Sequence, residues 1–461
     1  MHHPASTSFQ NFTITQVTNT QVHNSGLLGS TAISPDAKFV LSIIDNDGLQ
    51  SLWLRNVPTG SDTQVVAPTP SAYASLTFSP DGNYFYFRKA VNALSTHHDL
   101  YRAPLLGGNP QLIVRNINSD ITFSPDGHRI AYVRANDPEI GKYRLLTATV
   151  DGNDEKVLQT VEVGSSTDFA QHVAWSPSGN QIAYQLVQPD GATGGIELFD
   201  LETGNARRLA TFDDKYVTGL SWLPDGRQIL ANYWTRPDVY RGQIGWMSST
   251  GGDIHPITRD TNRYDSITAS ADGGTLATVQ TKLTNDVYLL PGAGNQSPQV
   301  APLSSQGRNF VGVNWTADGK LLASDGPRLW TIDAGGKSAT QLLGDPNTRI
   351  GWLATCGNRY LVFNWAFHEG KSLSSIWRAN ADGSSPVQLT SGRRDLHPVC
   401  SQDQKWVFYY DASPKGLCVC HWTLQTNLKH LLCLFIYNFD HISQRRSALA
   451  NRICNRPFCR V

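Results

Sequence analysis

The stretch Phe-Ser-Pro-Asp-Gly occurs at residues 78–82 and again at 123–127. One copy is an ordinary turn, but two copies a fixed distance apart point to a repeating unit. Degenerate versions run along the chain: ISPDA (33–37), WSPSG (175–179), WLPDG (222–226), ASADG (269–273), WTADG (315–319), ATCGN (354–358) and SQDQK (401–405). The Asp position of this anchor advances by 45, 45, 52, 47, 47, 46, 38 and 47 residues. A period of ~40–50 residues is long enough for one supersecondary unit that buries its faces only against copies of itself.

Each unit has the same internal order. After the anchor comes an apolar strand such as NYFYFRK (83–89), HRIAYVR (128–134) or NQIAYQL (180–186). A second strand follows, as in DLYRAPL (99–105) or GIELFDL (195–201), then a Gly-rich turn and a short closing strand such as PQLIV (110–114) or ARRLA (206–210). No helical 3.6-residue period is present, so each unit reads as four short strands joined by hairpins. Four antiparallel strands repeated radially make an all-β β-propeller. Nine anchors exceed the usual ~4–8 blades. With the weak anchors at 269–273 and 354–358, we expect eight blades, with seven or nine as the alternatives. FTITQVT (12–18) matches a closing strand and is expected to complete the last blade. The expected organisation is a flexible N-terminus (1–11), one propeller (12–432) and an irregular, Cys-rich non-repeat tail (433–461).

The anchor is explained by turn chemistry. Ser can hydrogen-bond locally, Pro presets φ for a type I turn, and Gly supplies a positive φ. Asp36, Asp81, Asp126, Asp225, Asp272 and Asp318 are therefore expected to shape hairpins rather than to do chemistry. Phe78, Phe123, Trp175, Trp222 and Trp315 precede these turns and are expected to pack between neighbouring blades.

The SPDG turns, each followed by an apolar strand, resemble the TolB-like repeats, also called PD40 or WD40-like β-propeller repeats. Pro80-Asp81-Gly82, Pro125-Asp126-Gly127 and Pro224-Asp225-Gly226 match fully, and the likeness covers about residues 12–432. The line DLYRAPLLGGNPQLI looks most like the propeller appended to bacterial serine/threonine kinases. The resemblance implies a non-catalytic module, a sensor or scaffold that binds a protein or peptide, in a periplasmic or extracytoplasmic setting. It also allows an accessory propeller of a larger kinase or peptidase, or an enzymatic propeller of sialidase-like or cyclase-like type.

The residues themselves exclude several classes. Lys+Arg and Asp+Glu number 38 each, a net charge of zero, so no basic surface for nucleic acid is expected. No apolar run is long enough for a membrane-spanning helix, and MHHPASTSFQ has no signal-like apolar region. There is no kinase motif set and no Gly-x-Ser-x-Gly elbow. Ala334-Gly335-Gly336-Lys337-Ser338 lacks the first P-loop glycine and sits between strands, so it reads as a hairpin. Asp45-Asn46-Asp47-Gly48 lacks the spacing of a calcium loop and reads as a turn. No metal or cofactor is expected: His97-His98 has no third ligand nearby in sequence, and Cys418, Cys420, Cys433, Cys454 and Cys459 match no zinc spacing. Catalytic residues are not expected, and a monomer is. The candidate partner loop is Tyr233, Trp234, Arg236 and Tyr240, which mixes aromatics with arginine as binding hot spots do. The segments 90–98 and 136–142 are further candidates by length.

Overall fold

The computed structural model describes residues 12–432 apart from 19–29, 92–94, 96, 163–171, 188–193, 213–214, 236–241, 261, 282–286, 290–298, 301–309, 334–337, 345–347, 368–373, 392–394, 412–415 and 422–429. The expected terminal segments 1–11 and 433–461 lie outside the described residues, as do Ala334 to Lys337, Arg236 and Tyr240. All elements of the described residues are strands.

The chain divides into two compact units, 1–283 and 284–461, where the sequence suggested one propeller. The first holds five four-stranded antiparallel sheets, each with its strands in chain order from the inner strand outwards. Their inner strands are Thr31–Ile33, Ala72–Phe78, Thr122–Phe123, Val173–Trp175 and Lys215–Trp222. A sixth blade is formed by two short ladders, Arg263–Tyr264 with Gln280–Thr281 and Thr268–Ala269 with Leu276–Ala277.

The strand after each anchor explains why blades stack. In Tyr84–Ala90, Phe85 and Phe87 pack towards blade 1 against Leu41, Ile43 and Leu52. Tyr86, between them, packs the other way against Ile130 and Tyr132 of blade 3. The alternation then repeats: Ala131 and Val133 meet Ile182 and Tyr184, and Ala183 meets Val217 and Ile229. Leu230 meets Tyr264 and Ile267 of the sixth blade. A strand that is apolar on both faces needs a neighbour on each side, which is why these strands read as nearly continuous apolar runs.

The ring of the first unit closes between its sixth and first blades. Ile33 N–H donates to Thr268 Oγ1 at 3.1 Å, and Ala271 N–H donates to Pro35 C=O at 2.9 Å. Six blades thus meet around the ring of this unit. Even spacing records how many units a chain has, whereas closure depends on which inner strands meet. FTITQVT also differs from expectation: residues 12–18 form no strand, and Phe12 and Ile14 are exposed.

The anchors behave alike. Ser34, Ser79, Ser124 and Ser270 donate to the Asp two residues on at 2.7, 2.5, 2.5 and 2.6 Å. Each Asp accepts a further backbone N–H, from Lys38, Asn83, His128 and Gly274. The serine bond is the main reason that Asp36, Asp81, Asp126 and Asp272 lie below the usual carboxylate pKa. Asp225 has Leu223 in the place of Ser and, among the described residues, accepts only from Arg227 N–H at 3.0 Å, while Asp318 pairs with Thr316 and Lys320. The turns also touch across blades. A Cβ on Gly82 would lie 3.8 Å from Pro35, and one on Gly127 would lie 3.7 Å from Pro80. Phe78 is buried, and Phe123, Trp175 and Trp222 are half-buried between blades, but Trp315 of the second unit is 49% exposed.

The second unit contains three four-stranded sheets, with inner strands Gly312–Trp315, Thr348–Cys356 and Asp395–Cys400, and a short ladder of Tyr288–Leu289 with Gln299–Val300. A disulfide joins Cys356 to Cys400, the last residues of two inner strands, with their Cα atoms 5.5 Å apart. Nothing local in the sequence marks this bond, because neither position belongs to a Cys-rich pattern. The Cys sites are 44 residues apart, close to one repeat, so equivalent places on adjacent blades come together.

Two stability outcomes follow. Ala37 occupies the Gly place of its anchor at φ 58°, and Gly127 has φ 70°. A left-handed Ala costs about 1–2 kcal/mol, offset by about 0.4–1 from the unfolded chain. Ala37→Gly should therefore stabilise by about 0.5–1 kcal/mol and Gly127→Ala destabilise by a similar amount, read from urea midpoints. Cys356→Ser should lower the unfolding free energy of the second unit by about 2–4 kcal/mol, and reduction of the wild type should reproduce that loss.

Candidate functional site

The six inner strands of the first unit surround a cavity of about 460 Å³. One end is lined by the turns, at Pro35, Pro80, Pro177 and Ala271. The other end, where the inner strands begin, is lined by Arg88, Asp120, His172, Thr218, Asp265 and Ser266. None of these six stands out in the sequence as a site residue: Arg88 lies near the end of the strand NYFYFRK (83–89), and the others lie in connections or at strand starts without a motif.

Asp120, in the connection between blades 2 and 3, is the hub of the polar end. Its Oδ1 accepts from Ser75 Oγ of blade 2 at 2.5 Å, and its Oδ2 lies 2.6 Å from His172 Nδ1, just before the inner strand of blade 4. Since a carboxylate only accepts, the Nδ1 proton is on the imidazole. Burial pushes the Asp120 carboxyl up, but His172, Arg88 and the Ser75 bond together outweigh it and hold the pKa at about 2. A bulge at Ser75, where the register shifts between Ala74 and Thr77, makes this contact possible. Ser75 adopts φ 54° there, a backbone state that costs about 1–3 kcal/mol for a non-Gly residue. Bulges re-aim side chains, and Ser75 Oγ also accepts from Arg88 Nε at 2.8 Å.

The remaining groups differ in how fully they are satisfied. Asp265 accepts from Arg263 Nε and from Thr281, although burial raises its pKa overall. Thr218 donates to Asn232 at 2.9 Å. By contrast, Arg88 makes no ion pair among the described residues, and burial lowers its pKa despite the attraction of Asp120. His172 is 9% exposed, and Nε2 has no partner among the described residues. The Ser266 hydroxyl is buried without a hydrogen bond.

The same end carries the hairpins that join the second and third strands of each blade. In the loop 136–142, Asn116 Nδ2 donates to Asp137 at 2.6 Å, and Glu139 pairs with Lys142 at 2.6 Å and Arg144 at 2.8 Å. This braced loop leaves Ile140 91% exposed. Trp234, at the end of its strand, stacks on Tyr216 with ring centroids 4.7 Å apart. Tyr233 does not belong to this surface. It is 5% exposed and packs in the core with Met247 and Ile254, because adjacent strand residues point to opposite faces. Of the expected partner loop, only Trp234 is thus placed at a surface by the described residues. Asp45 accepts from Gly48 N–H at 3.0 Å in a hairpin turn, and the described residues contain no group of three or more potential metal ligands.

Fold and channel together define an all-β β-propeller. No family model matches the chain. Among solved structures it is similar in fold to a putative TolB from Agrobacterium tumefaciens, with 20% identity, a TM-score of 0.46, and coverage of 58% of this chain and 93% of that one. TolB from Acinetobacter baumannii matches with 13% identity, a TM-score of 0.43, and coverage of 68% and 65%. A chain of a nidogen/laminin complex matches with 16% identity, a TM-score of 0.39, and coverage of 55% and 87%.

The charge state of the hub gives a pH signature. Asp120 has its folded pKa depressed from 3.8 to about 2, so its stabilisation is present above pH 3.8 and is lost as pH falls through about 2. The full shift is worth about 2 kcal/mol. With the side chain 36% exposed, screening reduces that to about 1. Asp120→Asn should flatten the fall in stability between about pH 4 and pH 2 by that amount, measured by urea unfolding across the range.

Proposed function

We propose that this chain is a non-catalytic β-propeller whose first unit binds a protein or peptide across the polar end of its channel. The supporting observation is the composition of that end. An open cavity with unsatisfied polar groups shares its end of the unit with an exposed apolar tip, Ile140, and an aromatic stack, Tyr216 with Trp234. Aromatic and apolar anchors beside a polar pocket are the usual makings of a binding hot spot. The loop around Arg236 and Tyr240 belongs to the same proposal through its position after Trp234. Nucleic acid is not a proposed partner, given the balanced charge. The disulfide in the second unit supports an oxidising compartment outside the cytoplasm.

A second reading, an enzymatic propeller, has one observation in its favour. Asp120 holds His172 by Nδ1 as a carboxylate holds a general base. Ser75, however, gives its proton to Asp120 and accepts from Arg88, so no nucleophile is paired with the imidazole. The binding reading therefore stands first.

Ile140→Asp and Trp234→Ala should each reduce cross-linked capture of a partner at least tenfold while the unfolding midpoint stays within about 1 kcal/mol of wild type. Equal capture by wild type and both variants would remove this face from consideration.

A further inference from the structure

Arg88 is the group at the channel end whose chemistry is least complete. It lies in the strand Tyr84–Ala90, opposite Ala74 on one side and Leu100 on the other. Among the described residues only its Nε is engaged, with Ser75 Oγ. No carboxylate lies within ion-pair distance of it among the described residues, although two carboxylates line the same cavity. Both are committed elsewhere, Asp120 to Ser75 and His172 and Asp265 to Arg263 and Thr281. Among the described residues lining the cavity, Arg88 is thus the cation with no carboxylate in contact, and Asp120 attracts it only across the intervening Ser75. A partly desolvated charge left uncompensated is costly, and it becomes favourable when an incoming anion completes it.

The geometry also restricts the anion. With Nε used, the end-on edge formed by the two Nη groups remains, and a planar two-oxygen acceptor matches it by two parallel hydrogen bonds. His172 lines the same cavity with Nε2 unpaired. With Asp120 fixing the proton on Nδ1, the imidazolium form adds a third donor. We propose that the channel end of the first unit recognises a carboxylate of a bound peptide, taken end-on by Arg88 and accompanied by His172. This rests on the binding reading above and specifies its ligand chemistry. The carboxylate can be a C-terminus or an acidic side chain.

Three acetylated peptides separate these sources in titrations of the full chain, followed by the NMR signals of labelled arginine and histidine. They are triglycine with a free C-terminus, triglycine amide, and Gly-Asp-Gly amide. At least one carboxylate peptide should bind ten or more times tighter than triglycine amide and shift the Arg88 and His172 signals together. Whichever binds identifies the source. Arg88→Gln should abolish that preference, and Arg88→Lys should retain part of it. Equal binding of all three peptides by the wild type would overturn the proposal without any variant having to fold. So would an unchanged preference in a folded Arg88→Gln, or a tighter response to inorganic phosphate than to either carboxylate peptide. If carboxylate peptides fail while Ile140→Asp still abolishes partner capture, the carboxylate site falls and the binding face stands. If the peptides bind and capture is indifferent to Ile140 and Trp234, the reverse holds.

Discussion

A blade whose second strand is apolar on both faces cannot be stable at the edge of anything. Phe85 and Phe87 on one face and Tyr86 on the other all need partners, and only neighbouring blades supply them. The rest of the first unit follows from this demand. Blades stack until the last can meet the first, and side-chain bonds between adjacent blades fasten each step. Ser30 takes Leu76 N–H, Asp120 links Ser75 to His172, Trp222 reaches Ala174 C=O, Asn232 reaches Tyr264 C=O, and Thr268 returns to Ile33. Closure removes the sheet edges that an open stack would expose.

The channel is a by-product of that closure, and its two ends differ because the inner strands all run in one direction. The end carrying the turns is finished with Pro and Gly contacts between adjacent anchors. The end where the strands begin has no such repeated motif, so its residues are free to differ from blade to blade. Polar groups gathered there, and most were used to join blades. Arg88 and the outer edge of His172 were not. A structural clamp and a ligand site can therefore share Asp120, which holds the imidazole for both purposes.

Much of the fold was legible from local chemistry. The SPDG anchor is self-contained: serine, aspartate and glycine make their main contacts within five residues of each other. A role that closes over so short a range can be read from a short range of sequence. The strand type was legible for the same reason. The candidate site was far less so. Trp234 came to a surface, but its neighbour Tyr233 went to the core, since composition cannot say which face of a strand looks outwards. Arg88 looked like any charged residue ending an apolar strand, and nothing local marks Asp120 or His172, which lie 52 residues apart. Cys356 and Cys400 were similarly silent until their blades were placed side by side.

By itself, the sequence determined the unit: four short antiparallel strands, a serine-gated turn, and apolar surface on both faces. These are consequences of hydrogen bonds and φ preferences that span a few residues. Only the tertiary structure decided how many units close together, which cysteines meet and which polar groups share a cavity. Those outcomes depend on the twist and spacing accumulated over whole blades. The first unit closes when Thr268 comes within 3.1 Å of Ile33, two residues 235 positions apart in the chain.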